Sequence, residues 1–326
     1  MRAIVVKEHG EPSVLHTAEA PTPSPGKGDV RIRVRATAVN RADVMQRRGH
    51  YPAPPDVPAD ILGLEFAGEV DQLGEGVVEL KIGDRVFGLA GGGTYAEYVV
   101  VHARTLARIP DNLSYVEAAS IPEAFITAYD AAVVQGGLTA GKRLLINAVG
   151  SGVGTAALQI ARAIGAFSVG TARNQSKLEG ATALGMNHGV VAEDGKFADK
   201  VMAATGGKGV DVALELVGGK YVAEDLLCVA PRACIMLVGL VAGARVEADL
   251  GLILRKRLTI KGTTLRMRPL EEKIQAGQLL SQHLAPLFAA GLLKSIIHKT
   301  FPLERAAEAH ALMEADENFG KIVLEV

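Results

Sequence analysis

Apolar and polar positions follow two different rhythms along this chain. In the first third, Val30-Arg-Ile-Arg-Val-Arg35 alternates with period two, as a strand does when one face is buried and the other is wet. Gly63–Val70, Arg85–Leu89 and Tyr95–Val101 are further short apolar runs, and turn clusters stand at Pro21–Gly26 and Tyr51–Pro55. Over residues 1–122 this predicts a meander of short strands forming a partly open barrel or sandwich. From about residue 123 the strands become continuously apolar: Arg143–Asn147, Phe167–Val169, Val210–Leu214 and Cys234–Val238, with Ala-rich helical stretches between them. Such strands belong to a parallel sheet covered by helices on both faces. The pattern closes near Leu258–Gly262. A helical stretch over 270–290, a helix near Leu303–Glu314 and a terminal strand Lys321–Val326 follow, and the tail is expected to return to the N-terminal sheet. The fold class is α/β, with one domain from 1–122 plus 264–326 and a second over 123–263.

A length of 326 residues suits two domains. No stretch approaches the ~20 apolar residues of a membrane span. The opening Met1–Pro12 lacks the apolar core of a secretory signal. A net charge of −1 argues against a nucleic-acid partner. Two cysteines, Cys228 and Cys234, are too few for a disulfide framework or a four-ligand zinc site. Free buried thiols fit a reducing cytoplasm, which is the expected location.

The strongest chemical signal is Gly150-Ser151-Gly152-Val153-Gly154, placed between an apolar strand and an apolar helix. Glycines let the backbone approach a pyrophosphate, whose charge then meets the free N–H groups of the helix start. A tight strand-to-helix turn is the bland alternative, but the second apolar strand follows at the right distance for dinucleotide binding. NAD-selective sites place a carboxylate about 20 residues on. Here Arg173, Asn174 and Lys177 occupy that region and no acid occurs before Glu179. This predicts NADPH, with NADH as the alternative cofactor. Solvated helix-start residues are the other reading of Arg173 and Lys177.

With these motifs in view, the chain resembles the zinc-independent quinone oxidoreductase branch of the medium-chain dehydrogenase/reductase superfamily. The residues that carry the resemblance are Asn40–Pro52, Leu62–Val70, Leu80–Val86, Ile121–Ala128, the 148–154 loop and Met313–Glu325. The C-terminal segment is similar to that of the p53-inducible quinone oxidoreductases. The resemblance implies a GroES-like β-rich catalytic domain with a Rossmann domain inserted in it. It also implies a homodimer paired through the strand near Leu258–Gly262, and an active site in the interdomain cleft. Zinc-dependent members carry a cysteine where this chain has Asn40 and a histidine where it has Leu64, so no metal is expected.

Without a Lewis acid, hydride must go to an acceptor that is already electrophilic: a quinone or an α,β-unsaturated carbonyl compound. The resemblance places Asn40 and Tyr51 at the nicotinamide end, Asn40 as an amide donor and Tyr51 as a donor to the developing oxyanion. A ring packed in the Pro-rich turn is the other reading of Tyr51. Asp43 would orient Asn40 or the nicotinamide ribose, or cap a helix. By the same resemblance Thr127 matches a position beside the nicotinamide or is an ordinary helix hydroxyl, Gly239 a backbone contact to the cofactor, and Lys321 a contact to its phosphates or a surface lysine. Arg255, Lys256, Arg257, Lys261, Arg266 and Arg268, with Arg47 and Arg48, form either a solvated face or a dock for the phosphates of an enoyl-CoA. The expected activity is NADPH-dependent reduction of a quinone or enone. Enoyl-CoA reduction is the alternative, and a non-catalytic NADPH-binding protein is the competing class.

Overall fold

The period-two segment becomes the long strand Asp29–Val39, where Val30, Ile32 and Val34 are buried. On the other face Arg31 and Arg35 form ion pairs with Asp71 and Glu69 of the neighbouring strand Glu65–Leu73. The computed structural model describes residues 1–55 and 57–326. It divides into two units, Met1–Ile126 with Leu265–Val326, and Thr127–Thr264. The first division lies within the helix Pro122–Ala128, which leaves Glu123 with the first unit and Thr127 with the second.

In the first unit a seven-stranded sheet runs in the order Ile297–Pro302, Lys321–Glu325, Asp29–Val39, Glu65–Leu73, Arg85–Leu89, Leu106–Arg108, with Tyr98–His102 also on Asp29–Val39. The tail does return to the N-terminal sheet. Ile322 pairs opposite Val39, which sets Lys321 beside Asn40. The pair Arg2–Val6 and Leu15–Glu19 forms a separate two-stranded sheet. Ile4, Leu62, Tyr95, Phe301 and Met313 are among the side chains of the core beneath the site.

In the second unit six parallel strands lie in the order His188–Val191, Phe167–Ala172, Arg143–Ile146, Val210–Glu215, Val229–Leu237, Thr259–Gly262. Numbered along the chain this is 3-2-1-4-5-6, the doubly wound dinucleotide-binding order. The strand His188–Val191 was not expected from the sequence, because a four-residue edge run containing Gly189 carries almost no pattern. The C-terminal helical stretch is Leu270–Leu279 and Ala285–Ala289, joined by a π-helical turn at Leu280–Leu284.

Candidate active site

The first unit gathers an unusual set of buried ionisable groups around Asn40. Lys321 Nζ donates to Asn40 Oδ1 at 2.5 Å and to the Val39 carbonyl at 3.1 Å, and pairs with Glu65 Oε1 at 2.7 Å. Those three acceptors use all three ammonium hydrogens. Asn40 Nδ2 donates to Glu65 Oε1 at 2.9 Å and the Ala38 carbonyl at 3.3 Å. Glu65 Oε2 accepts from the backbone N–H of Glu123 at 2.8 Å. Both amide hydrogens of Asn40, read from the sequence as a donor, are thus engaged within the first unit, as are the ammonium hydrogens of the buried Lys321, read as a phosphate contact.

Asp43 is buried at the start of the helix Arg41–Arg47. Its carboxylate accepts from the N–H groups of Asn40 at 2.8 Å and Gly63 at 3.0 Å, and from Tyr95 Oη at 3.3 Å. Gly63 has φ +100°, and a Cβ there would stand 2.1 Å from Thr94 Oγ1, so only glycine brings this N–H to Asp43. Burial pushes the Asp43 carboxyl up to about 6, opposed by those two backbone donors. Behind it runs a directed chain. An arginine can only donate, so His310 Nδ1 accepts from Arg47 (3.3 Å), and Nε2 carries the proton shared with Tyr95 Oη (3.1 Å). Arg47, counted from the sequence with a solvated face or a phosphate dock, is instead wholly buried and pairs with Glu314 at 2.6 Å.

Tyr51 is half-buried, with the Arg266 guanidinium 5.3 Å over its ring. Arg266 is itself buried, donating to the Gly91 carbonyl at 2.7 Å and to Gln46 Oε1 at 2.6 Å. Burial, then the charge of Glu123, raises the phenol above its ordinary value, and Arg266 opposes them. The ring thus carries a buried cation over its face. Of the basic run, Arg266 belongs to the first unit and Lys256 to the second, where its Nζ is held by the carbonyls of Leu226, Leu227 and Val229.

In the second unit, Ser151 caps the helix Gly152–Ile164 by accepting from Gly154 N–H at 3.0 Å, with Gly152, Val153 and Gly154 in its first turn. A Cβ on Gly154 would meet the Ala148 carbonyl at 2.5 Å. Asn174 caps the helix Gln175–Ala183, accepting from Lys177 N–H at 3.2 Å, and Arg173 is exposed just before it. The Lys177 stem lies against Gly150, within 3.0 Å of where a Cβ would be, so the basic side chain reaches the glycine loop. Thr127 is buried, and a Cβ on Gly239 would meet the Leu216 carbonyl at 2.5 Å. Beneath the loop a buried polar knot holds Asn147 between Thr171, Glu215 and Asp225. Burial, then the Glu215 charge, drives the Asp225 carboxyl well above its ordinary value.

Glu65 and Glu123 lie inside the segments Leu62–Val70 and Ile121–Ala128, and Arg266 inside the basic run, with no role of their own legible in the sequence. For Glu123 a signal did exist: it is the one ionisable side chain in Ala118–Ala128.

A family described as the alcohol dehydrogenase GroES-like domain matches residues 26–111, and one described as zinc-binding dehydrogenase matches 152–282. A quinone oxidoreductase of Lama guanicoe is 32% identical over 327 residues, covering 99% of this chain and 97% of that protein. A mycocerosic acid synthase-like polyketide synthase of Mycobacterium tuberculosis is 33% identical over 294 residues. That match takes in 89% of this chain but spans only 14% of the synthase. The Escherichia coli quinone oxidoreductase solved with NADPH superposes with a TM-score of 0.89 at 28% identity, covering 100% of both chains. The residues here do not fit zinc. Among the described residues no group of three or more His, Cys, Asp or Glu could hold a metal, and both cysteines are buried in the second unit. At the first unit's site the Asn40 oxygen is taken by Lys321 and Leu64 offers no ligand atom. The chain belongs to the medium-chain dehydrogenase/reductase superfamily, in its quinone oxidoreductase branch.

Proposed function

We propose that this protein is an NADPH-dependent reductase that delivers hydride to a quinone or to the C=C bond of an α,β-unsaturated carbonyl compound. The observation that carries the reading is the Tyr51 phenol, half-buried over Arg266 and without a hydrogen-bond partner among the described residues. It is poised to donate to oxygen as negative charge develops there. When bound, the reduced nicotinamide supplies the hydride. The chain's own residues hold the donor, exclude competing charges and stabilise the oxyanion. The Asn40–Lys321–Glu65 triad is a closed, self-satisfied platform, and Arg266 favours the charged oxygen near Tyr51.

Arg173 and Lys177, with no acid before Glu179, support NADPH over NADH, because a carboxylate would repel a 2′-phosphate. Steady-state rates should favour NADPH by about tenfold or more in kcat/KM. Equal efficiency with NADH would remove this element. The acceptor class is tested by NADPH oxidation with para-benzoquinone, a free enone and a short-chain enoyl-CoA. A CoA ester preferred by orders of magnitude would overturn the acceptor assignment, and NADPH binding without oxidation of any acceptor would favour a non-catalytic binding protein. Tyr51→Phe is expected to lower kcat about tenfold or more while leaving KM for NADPH unchanged, and an unchanged kcat would remove Tyr51 from the chemistry.

A homodimer is supported by the second unit's sheet edge. The strand Thr259–Gly262 is exposed along its length, and Leu250 and Leu254 of the adjacent helix Leu250–Lys256 are 68% and 78% exposed. An open strand edge beside apolar side chains is a ready template for pairing with a second copy.

A further inference from the structure

The polar cluster of the first unit can be sorted by which hydrogens remain free. Asn40 and Lys321 have spent theirs, and Arg266 is directed to Gly91, Gln46 and Tyr51 carbonyl-type oxygens. Asp43, Gln46, Glu65, Arg266 and Lys321 are all buried. Only Tyr51 and Glu123 are both partly exposed and without a hydrogen-bond partner for their side-chain oxygens among the described residues.

Glu123 is held in place by its own backbone. Its N–H is bound to Glu65 Oε2, so its position is locked to the Asn40–Lys321–Glu65 platform. The charges that act on its carboxyl are those of Glu65 and Asp43, both acidic, and of Lys321 and Arg266, both basic, and its own charge acts on the Tyr51 phenol. Lys321 is already matched by Glu65 at 2.7 Å, so its attraction for a second carboxylate is largely spent.

We propose that Glu123 is the general acid of this site: a neutral carboxylic acid, anchored to Glu65 through its backbone, that hydrogen-bonds to the acceptor oxygen and gives its proton to the reduced acceptor. The assignment rests on the hydride-transfer reading above. The electron pair arrives as hydride from the reduced nicotinamide, which is oxidised, and the acceptor is reduced. The carboxyl O–H bond breaks as a new bond to hydrogen forms on the acceptor. One hydride and one proton convert a quinone to its hydroquinone, or an enone to the saturated ketone. The carboxylate left behind is reprotonated from water. Burial, then the charge of Glu65, pushes this carboxyl up to about 8, so it retains its proton at neutral pH as a useful acid must.

The test is the pH dependence of kcat at saturating NADPH, with para-benzoquinone and a free enone, for wild-type protein, Glu123→Gln and Glu123→Asp. The wild type should lose activity above about pH 8. Glu123→Gln should lower kcat about tenfold or more and abolish that alkaline limb, with KM for NADPH unchanged. Glu123→Asp should restore part of the rate together with a limb, which a purely structural role would not do. A Gln variant that keeps both the wild-type kcat and the limb overturns the assignment and leaves the reductase reading standing. Wild-type protein that oxidises NADPH with neither acceptor overturns the reductase reading itself, and the assignment with it. Should the Gln variant fail to fold, the Asp variant and the infrared carboxyl band of wild-type protein decide. Absence of a protonated carboxyl that titrates near pH 8 is then the overturning result.

Discussion

Lys321→Met is expected to destabilise the protein by about 3–5 kcal/mol, because it leaves the Glu65 carboxylate buried without its cation. Glu65 is 0% and Lys321 6% exposed, and their 2.7 Å contact is shielded from solvent. Methionine replaces the aliphatic stem of lysine at little packing cost, so the loss reports the charge. The Asn40 and Glu123 hydrogen bonds that remain on Glu65 soften the penalty without cancelling it. Adding Glu65→Gln should recover much of the loss, since a neutral amide no longer needs an ammonium partner. A double-mutant cycle in urea checks both statements. A cost below about 1 kcal/mol for Lys321→Met would show that the pair is not desolvated as described.

What could be read from the sequence, and what could not, follows from the range of the contacts. The alternation at Val30–Arg35 announces its strand because each residue's face is decided by its neighbours two places away. The glycine loop is equally local, since Ser151 caps Gly154 and Asn174 caps Lys177 within three residues. Asp43 was legible for the same reason: it binds the N–H of Asn40 three residues back. The rest of the site has no local signature. Lys321 reaches Asn40 across 281 positions, Arg47 reaches Glu314 across 267, and Arg266 reaches Gln46 across 220. A lysine next to Gly320 reads as a surface residue or a phosphate ligand until the pairing of Ile322 with Val39 is known. That register, a tertiary fact, turns it inward. Glu65 and Glu123 likewise meet, through the Glu123 N–H, only once strand and helix are brought together.

His310 gives the second large effect, through acid. It is buried, it accepts from Arg47, and it is held neutral, with burial first and the Arg47 charge second lowering it from 6.5 to about 3. The unfolded chain takes up a proton there near pH 6.5, whereas the folded one resists until about pH 3. Stability from this group is therefore complete above pH 6.5 and is lost as pH falls toward 3, reaching about 5 kcal/mol at the acid end and about 3 kcal/mol by pH 4.5. Asp43 and Glu123 work in the opposite sense. Their raised values make the folded state the better proton binder, so they favour folding in acid and lose that contribution as pH rises through about 6 and about 8. The His310 contribution is isolated by His310→Gln, whose amide can accept from Arg47 and donate to Tyr95 but cannot titrate. Urea unfolding at pH 7 and pH 4.5 should show the wild type losing about 3 kcal/mol more than the variant. Equal losses would mean that the Arg47–His310–Tyr95 chain does not hold the imidazole neutral.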